Sequence, residues 1–164
     1  MKSKRILTPD EALSRAAELC DRCEQCTPDL RKKLASWGVF QADVDKIIRQ
    51  LEQMNYVDDA RFARAYALDK LMYSGWGRNK IIQGLWAKRI DREYIDASMD
   101  DIEDEEYESV CRRVIKSKIR MSKDGISTYE SKMKILRYAT QRGFETRLAG
   151  RIINEIARGE EEED

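Results

Sequence analysis

Six apolar positions recur twice along the chain, and that recurrence restricts the fold more than any single motif. Leu30, Leu34, Val39, Val44, Ile48 and Leu51, shifted by 51 residues, fall on Ile81, Leu85, Ile90, Ile95, Met99 and Ile102. A further shift of 54 falls on Ile135, Ala139, Phe144, Ala149, Ile153 and Ile156. Periods near 50 residues arise from stacked helical units, each burying an apolar stripe. Spacing within a copy is helical: Val44, Ile47, Ile48 and Leu51 stand at i, i+3, i+4 and i+7. Composition agrees. A chain of 164 residues with 41% hydrophobic and 38% charged residues, but two prolines and eight glycines, favours charged helices over a β-rich fold. The expected fold is all-α, an elongated array of three tandem three-helix repeats.

The predicted boundaries are a frayed basic lead over 1–9, repeats over 10–55, 56–103 and 104–157, and an acidic tail over 158–164. Thr8-Pro9 or Asp10 starts the first helix, because proline suits the first helical turn. Thr27-Pro28 starts the second, which Gly38 ends. A third runs from about Gln41 to Met54. Asp58-Asp59 supplies N-cap and first-turn carboxylates for the next helix, with Phe62, Ala65, Tyr66, Met72 and Tyr73 on its apolar face. Ser74-Gly75-Trp76-Gly77 splits it from a helix carrying Ile81, Ile82, Leu85 and Trp86. Thr128 or Ser127 caps a later helix. Glu145–Ala157 forms the last one, stopped by Gly159. The turns Trp37-Gly38-Val39, Lys88-Arg89-Ile90 and Arg142-Gly143-Phe144 correspond. Arginine stands where the other two carry glycine, so a strained or differently shaped middle turn is expected.

Net charge is zero but unevenly spread. Between Arg61 and Arg92 eight Lys/Arg face two acids, and between Val110 and Arg151 twelve face three. Beyond Val110, Arg112, Arg113, Lys116, Arg120 and Lys123 fall within about 100° of helical arc, with apolar residues opposite. Such a stripe fits a phosphate backbone or an acidic protein groove. Asp100 to Glu108 holds seven acids and no base. That run reads as a solvated helix N-terminus, or as a charge mimic of nucleic acid.

Chemistry has little support. Without histidine there is no Ser-His or Cys-His pair. No Walker-type or G-x-G-x-x-G loop occurs. Cys20, Cys23 and Cys26 resemble the start of an iron–sulfur run, but a fourth ligand is missing. They read as partly buried, reduced thiols, and no metal or cofactor is expected. Trp37 and Trp86 are expected in the core; Trp76, between glycines, is left open to either core or base stacking. No apolar run approaches a membrane span and the start lacks a signal-peptide apolar region. The expectation is a cytoplasmic, monomeric, non-enzymatic protein.

A family resemblance adds to this. Tyr56-Val57-Asp58-Asp59, Arg61-Phe62-Ala63-Arg64-Ala65-Tyr66, Gly75, Gly77-Arg78, Lys80-Ile81 and Leu85 resemble the signature of the RecX family. Lys132, Leu136, Tyr138, Arg142, Gly143 and Phe144 resemble that family's K…L…Y…RRGF pattern. The likeness covers about 10–157. Arg89 in place of a usual glycine, the cysteine-rich first helix and the acidic tail depart from it. The resemblance implies binding to the RecA recombinase, in the groove of its filament on single-stranded DNA. It also implies inhibition of the recombinase's ATPase, strand-exchange and co-protease activities. The expected contact residues are Arg61, Arg64, Arg78, Lys80, Lys88, Arg89, Arg112, Arg113, Lys116, Arg120, Lys123, Lys132 and Arg142, meeting the acidic filament surface or DNA directly. The alternative is a stand-alone helical DNA-binding protein working through the third repeat.

Overall fold

The computed structural model describes the backbone of residues 5–163, with side chains as far as 159. The start of the basic lead and the side chains of Glu160–Asp164 therefore lie outside the described residues. The described residues form nine helices and no strand: α1 (Pro9–Arg22), α2 (Thr27–Ser36), α3 (Gln41–Gln53), α4 (Asp59–Met72), α5 (Arg78–Ala87), α6 (Arg92–Asp100), α7 (Asp104–Met121), α8 (Tyr129–Gln141) and α9 (Thr146–Glu163). The chain divides into two compact units. One takes the chain up to Ala65 together with Leu85–Ala97; the other takes Tyr66–Gly84 and everything from Ser98. Of the eighteen recurrent apolar positions, fifteen are buried, and Val39, Met99 and Ile156 are partly so.

In the first unit, α1, α2 and α3 pack together around Ala12, Ala16, Leu30, Leu34, Val44, Ile47, Ile48 and Leu51, with Val57 closing the cluster. The starts of α1, α2 and α4 are fixed by a side chain or a proline. Thr8 and Glu11 form a reciprocal capping box ahead of α1, with Pro9 in its first turn. Asp58 caps α4 by accepting the Arg61 N–H at 3.0 Å. Asp59 reaches back to α2, accepting the Thr27 N–H at 2.7 Å and the Thr27 hydroxyl at 2.6 Å. That satisfies an amide which α2 leaves unpaired at its positive end. The lead is better anchored than expected, because the Leu7 N–H donates to the Trp37 carbonyl at 3.3 Å and Ile6 covers Gly38.

The second unit repeats this arrangement with different residues. Tyr107, Val110, Cys111 and Ile115 of α7, Ile135 and Ala139 of α8, and Phe144, Ala149, Ile152 and Ile153 near and along α9 are buried. The Tyr107 and Phe144 rings lie 5.5 Å apart. The Tyr107 hydroxyl accepts the Arg78 N–H at 3.0 Å, as Asp59 does for Thr27, and donates to Glu145 at 2.5 Å. Burial and the Glu145 carboxylate push this phenol far above its ordinary range. Gly77 and Gly143 meet backbone to backbone. The Gly77 N–H donates to the Arg142 carbonyl at 2.8 Å, and the Asn79 N–H to the Gly143 carbonyl at 3.1 Å.

The three corresponding turns have one geometry. The N–H groups of Val39, Ile90 and Phe144 donate to the carbonyls of Leu34, Leu85 and Ala139 at 3.2, 3.2 and 3.1 Å. The residue before each has positive φ: 84° at Gly38, 58° at Arg89 and 99° at Gly143. The middle turn is therefore not reshaped; Arg89 enters the left-handed region that costs an L side chain about 1 kcal/mol. Arg89→Gly is expected to raise unfolding stability by about 0.5–1 kcal/mol, read as a higher urea midpoint at unchanged slope.

Four expectations need correction. The buried face of α4 is Phe62, Ala63, Ala67 and Leu71, and Tyr73 is exposed; the local turn at Ser74 takes Tyr73 off the helix. Trp86 is 59% exposed, because Leu85 and Ile81 fill the core side of α5. Gly159 does not end the last helix, which continues to Glu163. A solvated glycine costs a helix only about 1 kcal/mol and is no stop by itself. Lys123 lies beyond α7, whose C-cap is Ser122, so helical phase does not place it on the stripe.

Candidate functional site

In the first unit the basic candidates separate by what they touch. Arg61 pairs with Glu24 at 2.7 Å and donates to the carbonyls of Asn55 and Tyr56, each at 3.3 Å. It closes the end of α3, where cations suit the negative dipole. Lys88 pairs with Asp29 at 2.7 Å and lies 5.7 Å from the Phe62 ring centre. Arg64 and Arg89 are exposed, and so is Trp86, three residues before Arg89.

In the second unit Arg78 pairs with Asp104 at 2.9 Å and stacks 4.0 Å over the Tyr107 ring. Arg142 donates to the carbonyls of Ser74 and Gly75. Lys80 and Lys70 lie 4.6 and 4.8 Å from the half-buried Trp76 ring, which is thus engaged with cations. Arg113 is exposed but donates to the Met72 carbonyl at 2.9 Å. Lys132 is half-buried on α8 and Lys123 is exposed in the loop after α7.

What remains of the stripe is Lys116 and Arg120, one turn apart on the exposed side of α7. They border a groove of about 430 Å³ between α7 and α9, with Ile119 and Ile156 among its lining. Arg112 and Glu155, 2.5 Å apart, also line it. This pair belongs to a four-membered network: Glu108 takes Arg151 at 2.8 Å and Arg112 at 3.3 Å, and Arg151 takes Glu155 at 3.0 Å. Sequence reasoning missed the groove because its floor needs two helices to come together, and neither isoleucine is distinctive alone. It also took Arg112 as a contact residue, whereas this network engages it within the unit.

The network carries a pH dependence. Hydrogen bonds from Arg151 hold the Glu108 carboxyl below the usual range, and those from Arg112 do the same for Glu155. A carboxyl whose folded pKa is depressed contributes stability above its ordinary value of 4.5 and loses it as pH falls through the folded value. Urea midpoints are therefore expected to hold from pH 7 to about 5 and to drop below about 4.5. In the Glu108→Gln/Glu155→Gln double variant that acid drop should be shallower.

Comparison with known proteins fits this architecture. The family model for the second three-helix domain of RecX matches residues 58–99, which are α4 to α6. The regulatory protein RecX of Yersinia enterocolitica is 31% identical over 156 residues, spanning 82% of this chain and 91% of that protein. The chain belongs to the RecX family. A second RecX, from Clostridium beijerinckii, is 24% identical over 86% of this chain, and the chain spans 66% of that relative's length. The crystal structure of RecX from Lactobacillus salivarius superposes with a TM-score of 0.81, covering 91% of this chain and 96% of the other at 17% identity. That likeness speaks to the fold. The RecX members compared are named regulatory proteins, and no helix of the described residues is long and apolar enough to cross a membrane.

Proposed function

We propose that this RecX chain regulates RecA by docking on its filament on single-stranded DNA and restraining its ATP hydrolysis, strand exchange and co-protease function. It acts by binding, as a monomer, and not as an enzyme. The observation that supports the contact most is the groove between α7 and α9, with Lys116 and Arg120 exposed beside Ile119 and Ile156. A basic rim steers an acidic surface and an apolar floor takes a side chain from it, the pattern of a protein contact more than of a bare phosphate track. Arg89 of the first unit, exposed three residues after the exposed Trp86, supplies a second contact region. Two contact regions on one chain make the attachment bivalent, and linked contacts multiply affinity. Cys20, Cys23 and Cys26 have no part in it. Cys26 is buried, which pushes its thiol up to about 11, and acts as a packed residue at the start of α2.

The test is binding of fluorescently labelled protein to RecA filaments on single-stranded DNA and, in parallel, to that DNA and to duplex DNA without RecA. Tighter binding to the filament, weakening with salt, supports the reading. Equal or tighter binding to bare duplex with sequence preference would favour the stand-alone DNA-binding alternative.

A further inference from the structure

The second unit holds another groove that the charge stripe does not include. It lies between α7 and α8, encloses about 360 Å³, and is lined by Lys118, Ser122, Lys134, Ile135, Arg137, Tyr138 and Gln141. Three of these are cations and none is a carboxylate. Lys118 sits about 240° around α7 from Arg112, well outside the arc that holds Lys116 and Arg120. The two basic surfaces are therefore separate.

We propose that this groove is a second binding site, for the phosphodiester backbone of single-stranded nucleic acid. Its side chains, two ammonium groups, a guanidinium, a hydroxyl, a phenol and an amide, can all donate hydrogen bonds, which is what phosphate oxygens require. The sole aliphatic residue of the lining, Ile135, is 2% exposed, so the apolar surface of the groove comes mainly from the stems and ring of side chains that end in polar groups. Lys118 lies 4.7 Å from the Tyr138 ring centre and Arg142 lies 5.9 Å from it. The ring is thereby engaged with cations and holds them in place; it serves as a prop for charge and not as a stacking platform. A concave slot between two helices admits one backbone, whereas a duplex presents a convex cylinder too broad to enter. The site therefore gives the chain a grip on nucleic acid independent of the groove between α7 and α9.

The experiment uses the full chain and a fluorescein-labelled oligothymidylate, followed by anisotropy from about 50 to about 200 mM salt without any recombinase. The variant is Lys118→Gln/Lys134→Gln/Arg137→Gln, and a control carries the same charge change at exposed lysines of the first unit, Lys32→Gln/Lys33→Gln/Lys46→Gln. Expected is wild-type binding, at least about tenfold weaker binding by the groove variant, and a salt slope lower by about 2, since each lost phosphate contact removes about 0.7. The control should bind near wild type, and both variants should melt as wild type does. No wild-type binding, a groove variant that binds with unchanged slope, or an equal loss in the control would overturn the proposal. Displacement by polyglutamate as readily as by unlabelled oligothymidylate would also overturn it, in favour of an acidic peptide. Because RecA is absent, these results are separable from failure of the filament reading.

Discussion

Replacing Gly77 by alanine is expected to destabilise the protein by about 3 kcal/mol, one of the largest effects of any single methyl group in this chain. A Cβ there would lie 2.3 Å from the Gly143 carbonyl carbon and 2.3 Å from the Phe144 nitrogen. Both are backbone atoms in a turn already fixed by its own hydrogen bonds, so no side chain can rotate away. Relief requires separating α5 from the turn before α9, which lengthens the 2.8 Å bond from Gly77 to Arg142 and the 3.1 Å bond from Asn79 to Gly143. Each such bond contributes about 1 kcal/mol net, and the steric cost adds to them. For a chain of this size the melting temperature should fall by roughly 10 °C. Gly150→Ala is the internal control. Nothing lies within 4 Å of a Cβ at that position, inside α9, so stability should rise by about 0.5–1 kcal/mol. Equal behaviour of the two variants would show that the close approach at Gly77 does not constrain the fold.

Reversing the two exposed cations of α7, Lys116→Glu/Arg120→Glu, is expected to require at least about tenfold more protein for half-inhibition of RecA, corresponding to about 1.4 kcal/mol of lost contact. Both side chains are exposed, so their replacement should leave the melting temperature within about 2 °C of wild type. Arg113 is the wrong partner for this experiment despite standing on the same stripe. Its guanidinium donates to the Met72 carbonyl at 2.9 Å, and reversing it would mix lost binding with lost structure. Inhibition by the double variant at wild-type concentrations would remove the groove between α7 and α9 from the interface.

The fold was legible because helix burial leaves a periodic trace. Val44, Ile47, Ile48 and Leu51 read as one helical face and are all buried. The correspondence of Leu34–Val39, Leu85–Ile90 and Ala139–Phe144 also proved to be a shared hydrogen-bonded turn. Helix starts were readable where the cap is local, as at Thr8 and Asp58. At Thr27 and Arg78 the start was readable from the neighbouring proline or glycine, but the partner that caps it, Asp59 or Tyr107, lies far along the chain and was not. Basic residues were the hardest to judge. Arg61, Arg78, Arg112 and Arg142 carry the same charge as Lys116 and Arg120, yet the former are engaged by carboxylates or carbonyls within their own unit. A helical plot of one segment cannot register partners on another helix. For the same reason it cannot bring together Lys118 with Lys134 and Arg137, which line one groove.

The most direct measurement of the central claim is ATP hydrolysis by RecA on single-stranded DNA while this chain is titrated in. Expected is a progressive loss of hydrolysis well below one copy per RecA subunit, because each docked copy restrains a filament of many subunits. Unchanged hydrolysis at saturating protein, with no binding to the filament, would contradict it.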